Sequence, residues 1–209
     1  MTETMSLFPM FVKLQGRSVL VVGAGVIGES KIQGLLDSSA RIRVIALEAT
    51  PQVQDWAERG AIALDVRSFN VSDLDGVFLV VVATSSHELN QQIFREANER
   101  GILCNVVDVP ELCDFFYPAV VKRGDLQIAI STSGQSPSLA KKLRQQLERQ
   151  FGPAYSDWVR QLGETRRLVL SSDLDAAKKR QLLSSLASRE AFEAMVDTEP
   201  AKVMEGELA

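Results

Sequence analysis

The sequence predicts an α/β fold: a doubly wound parallel sheet, then a small α+β region, then a helical C-terminal region. Three observations predict it. From residue 17 to about 110, short continuous Val/Ile/Leu runs alternate with helix-patterned segments. Such runs suit parallel strands buried on both faces, with helices as the crossovers. At residues 23–28 the first run meets a glycine loop that opens a helix. Beyond Pro110 the alternation stops and a hairpin pattern replaces it.

Residues 18–22 (SVLVV) read as the first strand and 28–38 (GESKIQGLLDS) as the first helix. Residues 41–47 (RIRVIAL) are the second strand, and 51–60 a helix stopped by Gly60. Residues 61–69 form a short third strand and 77–84 (VFLVVVAT) a very apolar fourth. A helix over 87–101 stops at Gly101, and 102–108 (ILCNVVD) is the fifth strand, ended by Asp108. Residues 115–134 read as two strands around a turn at Arg123-Gly124-Asp125, an antiparallel hairpin. Ser136 caps a helix over 136–152, with Pro137 in its first turn. Residues 153–195 read as helical throughout, and the acidic end TEPAKVMEGELA as a frayed tail.

Composition narrows the class. The 209 residues are 45% hydrophobic and 24% charged, enough for a sizeable core and against wholesale disorder. A net charge of -4 argues against a general nucleic-acid binder. No apolar run approaches the ~18 residues of a membrane span. The N-terminal MTETMSLFPMF lacks the basic and apolar regions of a secretory signal. Cys104 and Cys113 fit neither a disulfide framework nor a CxxC metal pattern, so the expected home is the reducing cytoplasm. No metal-ligand set is predicted, and His87 is the single histidine.

Gly23-Ala24-Gly25-Val26-Ile27-Gly28 matches G-x-G-x-x-G after a strand and before a helix, the context a dinucleotide cradle requires. Gly23 permits the tight turn, Gly25 lets a pyrophosphate approach the backbone, and Gly28 lets helix and strand pack closely. The N–H groups of Val26 and Ile27 open the helix and face the phosphates. Glu48 lies twenty residues beyond Gly28, after Leu47 at the end of the second strand. A carboxylate there bonds the ribose 2′-OH and repels a 2′-phosphate, which selects NAD over NADP. Thr84 follows the fourth strand at the same edge of the sheet. The bland alternatives are an empty turn, an ordinary surface acid and a plain polar turn.

A dinucleotide fold does not name a reaction. Three stretches are more specific: LFPMFVKLQGRSVLVVGAG (7–25), CNVVDVPELCDFFYPAVVKRGDLQIAIST (104–132) and SGQSPSLAKKLRQQLE (133–148). Together they resemble the precorrin-2 dehydrogenase / sirohydrochlorin ferrochelatase family, including the N-terminal half of sirohaem synthases, over about residues 7–150. Residues 151–195 match more loosely, as the family's helical C-terminal part. No methyltransferase pattern follows, so the chain resembles the stand-alone form.

The resemblance implies NAD-dependent oxidation of precorrin-2 to sirohydrochlorin, and in many members insertion of Fe²⁺ as a chelatase substrate to give sirohaem. It implies Asp108, the aspartate of N-V-V-D, as the catalytic residue. A carboxylate there can take the proton that leaves with the hydride; the alternative is a turn-forming aspartate before Val109-Pro110. It implies substrate contacts in Ser131, Thr132 and Ser133 before the helix, and a homodimer through the hairpin region. Lys141 and Arg144 are candidates for the acetate and propionate arms, among the cations Lys122, Arg123, Lys141, Lys142 and Arg144; the alternative is a solvated helix face. Phe115, Phe116 and Tyr117 flank a flat macrocycle or belong to a core. The expected regions are 1–113 for NAD, 114–150 for dimerisation and substrate, and 151–209 for the helical end. Two rivals remain: a dehydrogenase served by a separate chelatase, and a non-catalytic NAD-sensing module.

Overall fold

A computed structural model describes residues 7–198 of the chain. The chain divides into two compact units, Phe8–Tyr117 and the part from Pro118 onward.

The first unit is a five-stranded parallel sheet with helices on both faces. Its strands are β1 (Ser18–Ala24), β2 (Arg41–Ala49), β3 (Ala63–Val66), β4 (Leu79–Val82) and β5 (Leu103–Val106), in the order β3-β2-β1-β4-β5. The helices are α1 (Val26–Leu36), α2 (Pro51–Glu58) and α3 (His87–Glu99). Strand residues alternate between two separate cores. Val19 and Val21 pack with Ile32 and Leu35 of α1 and Val53 of α2. Leu20 and Val22 pack with Ile93 and Ala97 of α3. In the central strands β1 and β4 both faces are dry, so both parities must be apolar, and their uninterrupted Val/Leu runs follow. Complete burial of a side chain such as Ile32 or Ile93 stabilises by about 1.5–3 kcal/mol.

Local chemistry sets the helix ends. Thr50 Oγ1 accepts from the Val53 N–H ahead of Pro51, and Ser86 Oγ accepts from the Leu89 N–H. Gly60 and Gly101, at φ +71° and +66°, turn the chain out of α2 and α3 as the sequence predicts.

Several predicted elements of this unit differ. β3 and β4 are shorter than read, and α1 begins at Val26, so Gly28 lies inside its first turn. β5 ends at Val106, which corrects the expectation that Asp108 closes the strand. Val106 is the last residue paired with β4, opposite Val82. Val107 donates a final bond to the Val82 carbonyl, and the Val109 N–H then turns back to Val106 O at 3.2 Å. Asp108 sits in this turn at φ +62°. That region is open to Asp at modest strain because its short polar side chain tolerates it.

A charged network closes the β2–β3 edge. Asp73 is 5% exposed. It accepts from Arg67 Nη1 and Nη2 at 2.8 and 2.6 Å, Arg43 Nη2 at 3.1 Å and the Asn70 N–H at 2.8 Å. Arg43 also bonds Asp65 at 2.7 Å, across the strand pair. The hydrogen bonds from Arg67, against the opposing effect of burial, hold the Asp73 carboxyl below its ordinary range.

The second unit opens with an antiparallel hairpin, β6 (Ala119–Arg123) and β7 (Leu126–Ile130), turning at Gly124-Asp125 as predicted. Helix α4 (Pro137–Gln150) follows, capped by Ser136 Oγ accepting from the Leu139 N–H at 3.2 Å. Arg123 donates to the carbonyls of Lys122, Glu148 and Phe151 and so ties the end of α4 to the hairpin. The stretch expected to be helical throughout is instead three helices, α5 (Tyr155–Ser171), α6 (Ala176–Leu186) and α7 (Arg189–Thr198). The breaks are made by capping side chains. Asp175 accepts from the Lys178 N–H at 2.9 Å, and Ser188 from the Ala191 N–H at 3.2 Å. Tyr155 packs edge-on to Trp158 and, with ring centroids 4.3 Å apart, onto Phe192, fastening α5 to α7. The predicted frayed tail lies outside the described residues but for Thr198.

Candidate active site

The strand order reverses between β1 and β4, and in open α/β sheets the carboxyl edge at such a reversal is where ligands bind. The glycine loop lies on this edge. The β1–β2 register shifts between Val22 and Ala24, and Gly23 occupies the irregularity at φ +100°. A Cβ on Gly28 would meet the Gly23 carbonyl oxygen at 2.1 Å, so α1 can approach β1 only with glycine at that position.

Gly25 is different in kind. Its φ of -73° suits any residue, and a Cβ built on it meets nothing within 4 Å. It is the N-cap of α1 and gives no side-chain cap, whereas Thr50, Ser86, Ser136 and Asp175 cap their helices. The first-turn N–H groups, from Val26 onward, lack intrahelical acceptors and carry the positive end of the helix dipole. Val26 and Ile27 are 79% and 51% exposed, so this end is open. The donor set and the open space over Gly25 fit a pyrophosphate.

Leu47 and Glu48 sit at the exposed carboxyl end of β2. The Glu48 carboxylate has no partner among the described residues, as a ribose acceptor requires. Thr84 follows β4, but its hydroxyl is engaged: Oγ1 lies 2.6 Å from Asn90 Oδ1, and Asn90 Nδ2 donates back to Thr84 O. What Thr84 presents to a ligand is therefore not its hydroxyl proton. Asp108, beyond β5 at the same edge, is exposed and without a side-chain partner among the described residues. This unit thus brings the glycine loop, Glu48, Thr84 and Asp108 to one edge of one sheet.

Ser131, Thr132, Ser133, Lys141 and Arg144 belong to the second unit. The three hydroxyl residues form the turn from β7 to α4. Ser131 Oγ accepts from the Ser133 N–H, Thr132 Oγ1 accepts from the Ser136 N–H, and Ser133 is at φ +50°. Lys141 is exposed, and Arg144 is paired with Glu148 one turn along α4. Arg123 is committed to carbonyls. His87 opens α3, with Nε2 2.9 Å from Gln91 Nε2. Phe115 packs into the sheet core, while Tyr117 is 42% exposed with Lys31 Nζ 4.4 Å over its ring. Among the described residues no group of three or more His, Cys, Asp or Glu is placed to hold a metal ion.

Sequence reasoning passed over Asn105, a 6% exposed polar residue in β5. The available signal was its place in an otherwise apolar buried strand, where an amide must find partners. The Arg43–Asp65–Arg67–Asp73 network was also passed over.

The fold and the edge site define a dinucleotide-binding protein of the Rossmann class. A family described as putative NAD(P)-binding matches residues 10–119, and one described as sirohaem biosynthesis protein central matches residues 123–150. The chain belongs to the first of these, the putative NAD(P)-binding family. It is 42% identical over 144 residues to siroheme synthase 1 of Aeromonas hydrophila, covering 69% of this chain and 31% of that protein. It is 44% identical over 144 residues to the siroheme synthase of Ectopseudomonas mendocina, with the same coverage. The chain thus spans about a third of the length of these relatives. Among solved structures, SirC, a precorrin-2 dehydrogenase, superposes with a TM-score of 0.77 at 28% identity, covering 92% of this chain and all of that one. No helix of the described residues is long and apolar enough to cross a membrane.

Proposed function

We propose that this chain oxidises precorrin-2 to sirohydrochlorin with NAD. The observation that carries the proposal is the likeness to a precorrin-2 dehydrogenase along that protein's whole length, combined with the open, side-chain-free cradle at Gly25. NAD, when bound, supplies the hydride acceptor. The chain's own residues do the rest. Backbone N–H groups at the start of α1 hold the pyrophosphate, and Glu48 accepts from the ribose hydroxyl and disfavours a 2′-phosphate. Asp108 takes the proton that leaves the macrocycle as the hydride departs, so the substrate loses two hydrogens and gains one double bond.

The reading extends to the second unit, where Ser131, Thr132, Ser133 and Lys141 receive the carboxylate arms of the tetrapyrrole. Arg144 joins them on exchanging Glu148 for a substrate carboxylate. A homodimer in the cytoplasm completes it. Exposed Val120 on the hairpin and Leu139 on α4 are apolar surface that a second copy would cover. Fe²⁺ enters as a substrate of a following chelation step, with the four macrocycle nitrogens as its ligands; the two N–H protons it displaces leave one at a time through Asp108 to solvent.

The test is anaerobic incubation of the protein with enzymatically made precorrin-2 and NAD, followed by Fe²⁺. NADH and the sirohydrochlorin spectrum are expected together, then the sirohaem spectrum. NADH without an iron response would leave a dehydrogenase that depends on a separate chelatase. No turnover by a protein that binds NAD would overturn the proposal in favour of a sensing module.

A further inference from the structure

The segment that follows β5 is held by a clamp. After Val106 the chain turns through Asp108, makes a short 3-10 turn at Pro110–Leu112, and returns antiparallel to β5. Asn105 and Cys113 face each other as an isolated bridge at the base of this loop. One position away, the Asp114 N–H donates to Cys104 O at 2.8 Å, and Asp114 Oδ2 accepts the Cys104 N–H at 2.9 Å. Asn105 Nδ2 donates to Phe115 O at 2.7 Å and reaches Cys113 Sγ at 3.4 Å. Cys113 Sγ in turn lies 3.1 Å from Val106 O and 3.3 Å from Val109 O.

These two carbonyls flank Asp108 on either side. The same thiol therefore grips both ends of the turn that holds Asp108 in its left-handed conformation. Burial pushes the Cys113 thiol up from its ordinary value, so it keeps its proton at neutral pH and can donate it to either carbonyl. Asn105 holds Cys113 from below, and its own burial leaves its amide no water as an alternative partner.

We infer that Asn105 and Cys113 are positioning residues for proton transfer at Asp108. The inference rests on the reading of Asp108 as the base. A base must stand within hydrogen-bond reach of its proton, and a displacement of the order of 1 Å can lower a rate about a hundredfold. Neither side chain touches the reacting atoms; each acts by fixing the backbone on which the carboxylate stands. A hydroxyl can replace the thiol as donor, whereas a methyl group cannot.

The experiment compares Cys113→Ala, Cys113→Ser, Asn105→Ala, Asp108→Asn and the double variant Cys113→Ala/Asp108→Asn. Steady-state NADH formation from precorrin-2 is measured beside NAD affinity and thermal unfolding. Cys113→Ala and Asn105→Ala are expected to lower kcat about tenfold or more with little change in KM or NAD affinity. Cys113→Ser is expected to recover most of the loss. In the double variant the loss is expected to equal that of Asp108→Asn alone, because the clamp acts through the carboxylate. If Asp108→Asn abolishes turnover while folded Cys113→Ala and Asn105→Ala keep full kcat, or if the losses simply add, the positioning role is overturned and Asp108 as base survives. If Asp108→Asn itself keeps full activity, the reading of Asp108 falls, and the clamp's role with it.

Discussion

Gly23 and Ala83 meet backbone to backbone: a Cβ on Gly23 would stand 2.3 Å from the Ala83 carbonyl oxygen and 2.7 Å from its carbon. The contact joins the end of β1 to the end of β4 at the strand-order reversal. Backbone cannot yield as a side chain can, and φ +100° is a region L side chains rarely adopt. Gly23→Ala is expected to destabilise the protein by at least about 2 kcal/mol and to displace the loop. Thermal unfolding and NAD titration read both effects, and a variant with native melting and native affinity would refute the account.

Gly25→Ala makes the complementary case. The conformation is ordinary and the space around the position is open, so melting is expected to change little. The added methyl group stands where the pyrophosphate approaches, and NAD affinity is expected to drop at least about tenfold, ~1.4 kcal/mol. Calorimetric titration of the folded variant distinguishes the two glycines. Unchanged affinity would remove the cradle from this loop.

Glu48 is predicted to set cofactor choice. Glu48→Ser removes the acceptor for the 2′-hydroxyl and the repulsion of a 2′-phosphate, and is expected to cut the preference for NAD over NADP about tenfold or more. The ratio of the two dissociation constants is the measurement. A ratio equal to that of the wild type would make Glu48 a bystander.

Asp73 carries the pH dependence that the structure makes visible. Its folded carboxyl titrates below its ordinary range, so ionised Asp73 stabilises the fold above the unfolded value, near pH ~4, and that contribution is lost as pH falls through the folded value. Asp73→Asn is expected to be less stable by about 1–3 kcal/mol at pH 7, because Arg43 and Arg67 lose their shared carboxylate. The gap to the wild type should close on acidification below about pH 4. Urea unfolding at several pH values tests this, and a gap that stays constant with pH would assign the loss to packing.

Asp108→Asn keeps a residue that tolerates the left-handed turn, so the fold and NAD binding are expected to survive. Loss of the proton acceptor is expected to lower kcat for precorrin-2 oxidation by about 10²–10⁴. Stopped-flow NADH absorbance under anaerobic conditions reads it directly, and a loss of less than threefold would move the base elsewhere.

What the sequence determined by itself was whatever depends on neighbours along the chain. Doubly buried strands show as Val/Ile/Leu runs because both faces must be dry. G-x-G-x-x-G announces its turn because only glycine fits the close approach at residues 23 and 28. Glu48 falls at the end of β2 because the length of a strand–helix–strand unit is nearly constant. The breaks before α6 and α7 were equally local, written in Asp175 and Ser188, although a helical pattern on both sides masked them.

Tertiary structure alone decided the rest. Arg43, Asp65, Arg67 and Asp73 look like scattered surface charges until β3 pairs with β2 and brings them together. Asp108 reads as a strand end until β5 runs out of partner at Val82 and the chain has to turn. The grip of Cys113 on the carbonyls either side of Asp108 involves backbone atoms, which no residue pattern encodes. Long-range pairing and side-chain-to-carbonyl bonds depend on where the chain returns in space, and that is fixed only when the whole sheet has formed.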